Sequence, residues 1–97
     1  MALTDSQMRH LKGLAHTLKP VVMVGQQGLR AAVLTEIDQA LEDHELIKVR
    51  LNAEDRGSRA GMIDEISIHC RAEVIQRIGH VAVLFRRNRK KPRIAIP

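Results

Sequence analysis

The chain has 97 residues and carries 16 Lys or Arg against 11 Asp or Glu, a formal charge of +5. Hydrophobic residues make up 44% and charged residues 28%, which excludes a disordered chain and suits one folded domain over residues 1–97 with a modest core. Aromatic content is 1%, with Phe85 alone and no Trp or Tyr, which excludes single-strand recognition by stacking bases on aromatic platforms.

Thr4, Asp5 and Ser6 are helix N-cap candidates. Met8, Leu11, Leu14 or Ala15, and Leu18 then recur at helical spacing, so a first helix is expected over about residues 6–16. Arg9, Lys12 and Lys19 fall off its apolar stripe. Pro20 ends the segment and is acceptable as the first residue of a strand. Val21 to Val24 read as a short buried strand.

The loop Gly25-Gln26-Gln27-Gly28 follows, and a second helix opens after it. Leu29, Val33, Ile37 and Leu41 recur every four residues, with Ala32, Leu34 and Ala40 widening the stripe as far as His44. Loop glycines let the main chain approach a ligand closely. A helix start adds unpaired N–H groups and the positive end of a dipole. A strand feeding such a loop therefore suits a phosphate backbone, as Gly-x-x-Gly does in the KH modules that bind RNA.

Leu46 to Leu51 alternate, with Ile47, Val49 and Leu51 facing one way and Lys48 and Arg50 the other. Residues 52–58 read as a polar loop containing Gly57. A third amphipathic helix is expected from Arg59 to about Cys70. Residues 74–78 and 81–85 flank Gly79-His80 as a hairpin. The order is α-β-α-β-α-β-β: an α/β fold with two βαβ-like crossovers and a hairpin, giving a mixed four-stranded sheet packed by helices.

The charge is polarised. Six of the eight residues 86–93 are Arg or Lys: Arg86, Arg87, Arg89, Lys90, Lys91 and Arg93. Residues 1–35 hold Arg9, Lys12, Lys19 and Arg30 against Asp5 alone, whereas residues 36–85 have a net charge of −4. If the two chain ends meet in space, they make one basic face suited to phosphates. Residues 94–97 either dock back on the domain or fray. Cys70 is the sole cysteine, so a reducing compartment is expected. Residues 1–5 lack the basic start and apolar core of a signal peptide, and no apolar run approaches the ~20 residues of a membrane span. The expected location is the cytoplasm.

The segment Leu11-Lys12-Gly13-Leu14-Ala15-His16, then Leu18-Lys19-Pro20-Val21-Val22 and the Gly-x-x-Gly loop, resembles the CRM domain in its single-domain bacterial form, the YhbY family. Residues 33–42, 44–49 and 74–79 resemble it too. The resemblance implies an RNA-binding α/β fold similar to the C-terminal domain of translation initiation factor three. It also implies association with precursors of the large ribosomal subunit, and RNA contact through Gly25, Gln26, Gln27 and Gly28.

The candidate RNA-binding set is that loop with Arg9, Lys12, His16, Lys19, Arg30, Arg86, Arg87, Arg89, Lys90 and Lys91. Lys48 and Arg50 stand between RNA contact and a solvated strand face. No metal or other cofactor is expected: His10 and His16 lie six apart, and His69-Cys70 has no second Cys. Cys70 and Phe85 read as core, and no coherent catalytic set is visible, so no enzyme is expected. The main reading is a non-enzymatic binder of large-subunit rRNA. The alternative is a protein-interaction module docking a ribosomal protein or assembly factor through the acidic second-helix face of Glu36, Asp38, Glu42 and Asp43.

Overall fold

The computed structural model describes residues 3–25 and 27–97. Helix α1 (Asp5–Ala15) opens on Thr4, whose hydroxyl accepts the Gln7 N–H while the Gln7 side chain accepts the Thr4 N–H, a reciprocal capping box. Its buried stripe is Leu11 and Ala15; Leu14 lies outside it, half exposed. Strand β1 (Pro20–Val24) follows, then α2 (Ala31–His44) and β2 (Leu46–Leu51). Helix α3 (Arg56–Cys70) precedes β3 (Glu73–Ile78) and β4 (Val81–Phe85).

The α-β-α-β-α-β-β order and the mixed four-stranded sheet are as the periodicities predict. Helix α3 starts three residues earlier than Arg59, inside the expected polar loop. The reason is Asp55, whose carboxylate accepts the Ser58 N–H at 2.9 Å and caps the helix, so Gly57 is carried in its first turn.

The spatial order is β1-β2-β4-β3. Strands β1 and β2 are parallel, joined through α2. Strand β4 runs antiparallel to both β2 and β3 and fills the gap left by the α3 crossover. Gly79, at φ 54°, makes the two-residue hairpin turn.

Two cores sit on opposite faces of the sheet. On one, Leu34, Ile37 and Leu41 of α2 and Ile63, Ile66 and Cys70 of α3 cover Val22, Val24, Val49 and Leu84. On the other, Leu11 and Ala15 cover Leu46, Ile75, Val83 and Phe85, joined by Ile94 and Ile96 from the C-terminal segment. That segment docks back rather than fraying: Gln7 Nε2 donates to the Pro97 carbonyl, and His10 Nε2 lies 3.0 Å from the Ala95 carbonyl oxygen. The two chain ends therefore meet.

Candidate nucleic-acid interface

Strand β1 ends at Val24 and delivers the 25–28 loop to one end of the sheet. The Gly28 N–H donates to the Gly25 carbonyl at 3.1 Å, closing a turn, and Gly28 has φ 80°, a conformation that side-chain-bearing residues rarely adopt. A Cβ placed on either glycine meets nothing within 4 Å. Internal packing therefore does not demand glycine at position 25, and the backbone there lies open to an approaching ligand. Gln27 is exposed; Gln26 lies outside the described residues.

Helix α2 opens beside this loop with Arg30 at its N-cap and no side-chain capping bond. Ser, Thr, Asp or Asn at that position would satisfy a first-turn N–H. Arg30 cannot accept one, and the first turn holds no acid. The helix start thus presents first-turn donors that its own N-cap side chain does not take up and a positive dipole end, flanked by an exposed guanidinium.

The loop end of the sheet carries further cations. Arg50 projects from β2 opposite Met23. Arg56, Arg59 and Arg77 line a cleft with Gly79. Arg59 donates to the Ala53 and Glu54 carbonyls, bracing the β2–α3 loop, and Arg77 pairs with Asp64 at 3.3 Å. Sequence reasoning passed over Arg56 and Arg77 because residues 36–85 are acidic as a stretch. Net charge along a chain averages over groups that the fold separates, and only the end at which each strand or helix terminates reveals them.

The other candidates do not join the loop. Lys12 and His16 line a cleft with Lys48, Gln76 and Ile78 on the α1 face. Lys19 precedes β1 while the loop follows it, so the two are separated by five strand residues, roughly 16 Å at about 3.3 Å per residue. Lys19 borders an apolar cleft with Leu14, Leu18, Val21 and Ile94. Arg9 is exposed on α1. The basic 86–93 run leaves Phe85, whose strand partners are Leu46 and Glu73, at the end of the sheet remote from the loop. The expected single basic face is therefore two: one at the loop, one where the chain ends meet.

Within the second, Arg86 is already occupied. Its guanidinium donates to the Asp38 carboxylate at 2.6 Å, to Glu42 at 3.2 Å and to the Cys70 carbonyl at 2.8 Å, with 20% of the side chain exposed. The Arg86 side chain is thus turned toward α2, whereas its basic neighbours along the chain are not so engaged. Asp38 and Glu42 pair with Arg86 yet keep about half of each side chain exposed, so they stay on the acidic α2 face with Glu36 and Asp43, partly neutralised. Arg89, Lys90 and Lys91 remain exposed.

The residue holding this basic segment in place is Glu45, which sequence reasoning missed. It is fully buried, and its carboxylate accepts the backbone N–H of Asn88 and of Arg93 at 2.6 Å each and of Ile94 at 2.8 Å. Burial pushes its carboxyl pKa up, but these three donors and the Arg87 charge outweigh that and hold it below the usual value. No local pattern advertises Glu45, since its partners lie more than forty residues away. Cys70 is buried, and burial followed by the nearby Asp38 raises its thiol pKa, as befits a core residue. Among the described residues, no cluster of His, Cys, Asp or Glu is placed to hold a metal ion. Among the same residues, no helix is long and apolar enough to cross a membrane.

A mixed sheet with one helix on one face, two on the other, and a glycine loop feeding an uncapped helix start defines a class of small α/β modules. The chain belongs to the CRS1/YhbY (CRM) domain family, whose model matches residues 3–86. It is 43% identical over 90 residues to a Pseudomonas aeruginosa protein named a probable RNA-binding protein, covering 93% of this chain and 86% of that one. It is 48% identical over 84 residues to a Haemophilus influenzae protein named an RNA-binding protein, covering 87% and 85%. A solution structure from Staphylococcus aureus, described as that of a hypothetical protein and candidate RNA binder, superimposes with a TM-score of 0.84 at 31% identity, covering 99% of this chain and all of the other.

Proposed function

We propose that this protein is a non-enzymatic RNA-binding module, acting as one unit over residues 1–97 in the cytoplasm. We assign its RNA to the large-subunit rRNA of ribosomal precursors, whose assembly it assists. The observation that carries the reading is the open 25–28 loop set against the uncapped start of α2. Main-chain amides of the loop and helix hold one run of phosphates, with Arg30 beside them. Lys12 and His16 engage phosphates across the α1 face. Arg87, Arg89, Lys90 and Lys91 engage a second stretch at the far end of the sheet, with Lys19, which shares a cleft with Ile94, and Arg9 of α1 adding charge outside the loop. Such contacts release counterions, so affinity falls steeply with salt. Family membership supports RNA as the partner; the rRNA assignment extends from the resemblance in the sequence.

The test is a gel-shift titration of large-subunit rRNA fragments against small-subunit fragments, with Gln26→Asp combined with Gln27→Asp as the loop variant. Preferential binding to the large-subunit set, and sharp weakening by the variant with an unchanged melting curve, are expected. Unchanged affinity in the variant removes the loop from the mechanism, and equal affinity for both sets removes the rRNA assignment.

A further inference from the structure

One row of side chains crosses all four strands without a helix above it. Met23 pairs with Arg50, Arg50 with Val81, and Val81 with Ile78. Their neighbours Val22, Val24, Val49, Leu51 and Ala82 all belong to the core under α2 and α3. Strand alternation therefore turns these four to the α1 face. Helix α1 ends at Ala15 and borders the row at its Ile78 end, in a cleft shared with Lys48, without covering it. Met23 is 59% exposed and Ile78 55%, Arg50 is exposed and Val81 half-buried. Single exposed apolar residues are ordinary on a protein surface. A contiguous apolar row around an arginine, spanning about 14 Å at ~4.8 Å per strand spacing, is not.

Charge selects the occupant. Lys48 stands on the next row of the same face, with Lys12 and His16 at its edge. The strand residues of this half of the face include no carboxylate, and Arg50 has no ion pair among the described residues. The row also starts at Met23, two residues before the 25–28 loop, so the loop amides and the row lie at the same end of β1.

Resting on the RNA reading above, we propose that this row is a seat for unpaired nucleotides: bases lie against Arg50 and the flanking Met23, Val81 and Ile78 while the loop holds the adjoining backbone. The chain lacks aromatic platforms, but a guanidinium plane stacks on bases, and a thioether contacts π-faces favourably. The RNA recognised is then a junction, a paired segment next to an unpaired one.

The experiment is fluorescence anisotropy of the full chain with two RNAs: a blunt duplex, and the same duplex with a single-stranded extension. The variants are Met23→Ser with Ile78→Ser, Arg50→Ala and Arg50→Lys, all at exposed positions. The wild type is expected to favour the extended RNA. The Met23/Ile78 pair and both Arg50 variants should weaken that RNA by about tenfold and leave the duplex within about twofold. Arg50→Lys retaining full affinity overturns the seat, because charge alone then suffices. Equal losses on both RNAs overturn it as well. No loss on either RNA likewise overturns it. In all three of these cases RNA binding itself stands. A wild type that binds neither RNA removes the RNA reading and the seat together.

Discussion

The Glu45 carboxylate accepts the backbone N–H of Arg93 at 2.6 Å, tying the start of β2 to a segment 48 residues further along the chain. With Asn88 and Ile94 as further donors, one buried anion organises the turn that displays Arg89, Lys90 and Lys91. Removing it leaves three N–H groups without their acceptor. Glu45→Ala should cost about 2 to 3 kcal/mol, read as a lower melting temperature, and should speed amide exchange across residues 88–94. Glu45 also sits at φ 63°, in the left-handed region. Glu45→Gly should therefore be about 1 kcal/mol less damaging than Glu45→Ala, since it removes the same anion but relieves the backbone.

The same carboxylate makes docking of the segment pH-dependent. Its folded pKa lies below the ordinary value, despite burial, because the N–H donors and Arg87 favour the charged form. The unfolded state therefore binds the proton more readily. Stability from this group is fully present above the ordinary carboxylate range and is lost as pH falls through the depressed folded value. Protection of the 88–94 amides, taken relative to their intrinsic exchange at each pH, should hold steady from neutral pH down to the ordinary carboxylate range and then fall below it. In Glu45→Gln the acid-induced step at these amides should disappear.

Local pattern carried most of the fold and only part of the site. The alternation of Ile47, Val49 and Leu51 and the four-residue recurrence of Val33, Ile37 and Leu41 are short-range signals, and those elements form where they say. The start of α3 was obscured because Gly57 reads as a loop residue, while the Asp55 cap that overrides it needs only Ser58 three residues on. Arg86 and Glu45 were illegible for a different reason. Their partners are set by the β2–β4 pairing, which no local period encodes. Sequence proximity also misled: Lys19 is close to the loop along the chain, yet a whole strand separates them.

Arg86 and its basic neighbours should separate cleanly. Arg86→Ala removes donors to Asp38, Glu42 and the Cys70 carbonyl, and should destabilise the fold by about 2 kcal/mol. Arg86→Lys should recover little, since one ammonium cannot reproduce the planar fork that reaches all three. Neither change should alter the slope of log affinity against log salt for RNA, provided the protein stays folded at the assay temperature. Neutralising Arg87, Arg89, Lys90 and Lys91 together should do the reverse: a slope lower by up to about 3 to 4 if each meets a phosphate, with a small effect on melting. Equal slopes for that variant and wild type would leave these residues as a solubilising surface.

The two loop glycines should behave differently on substitution. Gly28 sits at φ 80°, so an alanine there is strained whatever the space around it, at a cost of about 1 kcal/mol. Gly25 has no such conformation, and its added Cβ would project into open space. Gly25→Ala should therefore leave the melting temperature within a degree or two. If a phosphate backbone closes on that residue, the extra methyl keeps it away, and RNA affinity should fall by roughly tenfold through steric exclusion alone, with the salt slope preserved. Paired melting and binding curves for both variants supply the check. A Gly25→Ala protein that melts and binds like wild type would mean that the loop turns the chain without touching RNA at its first residue.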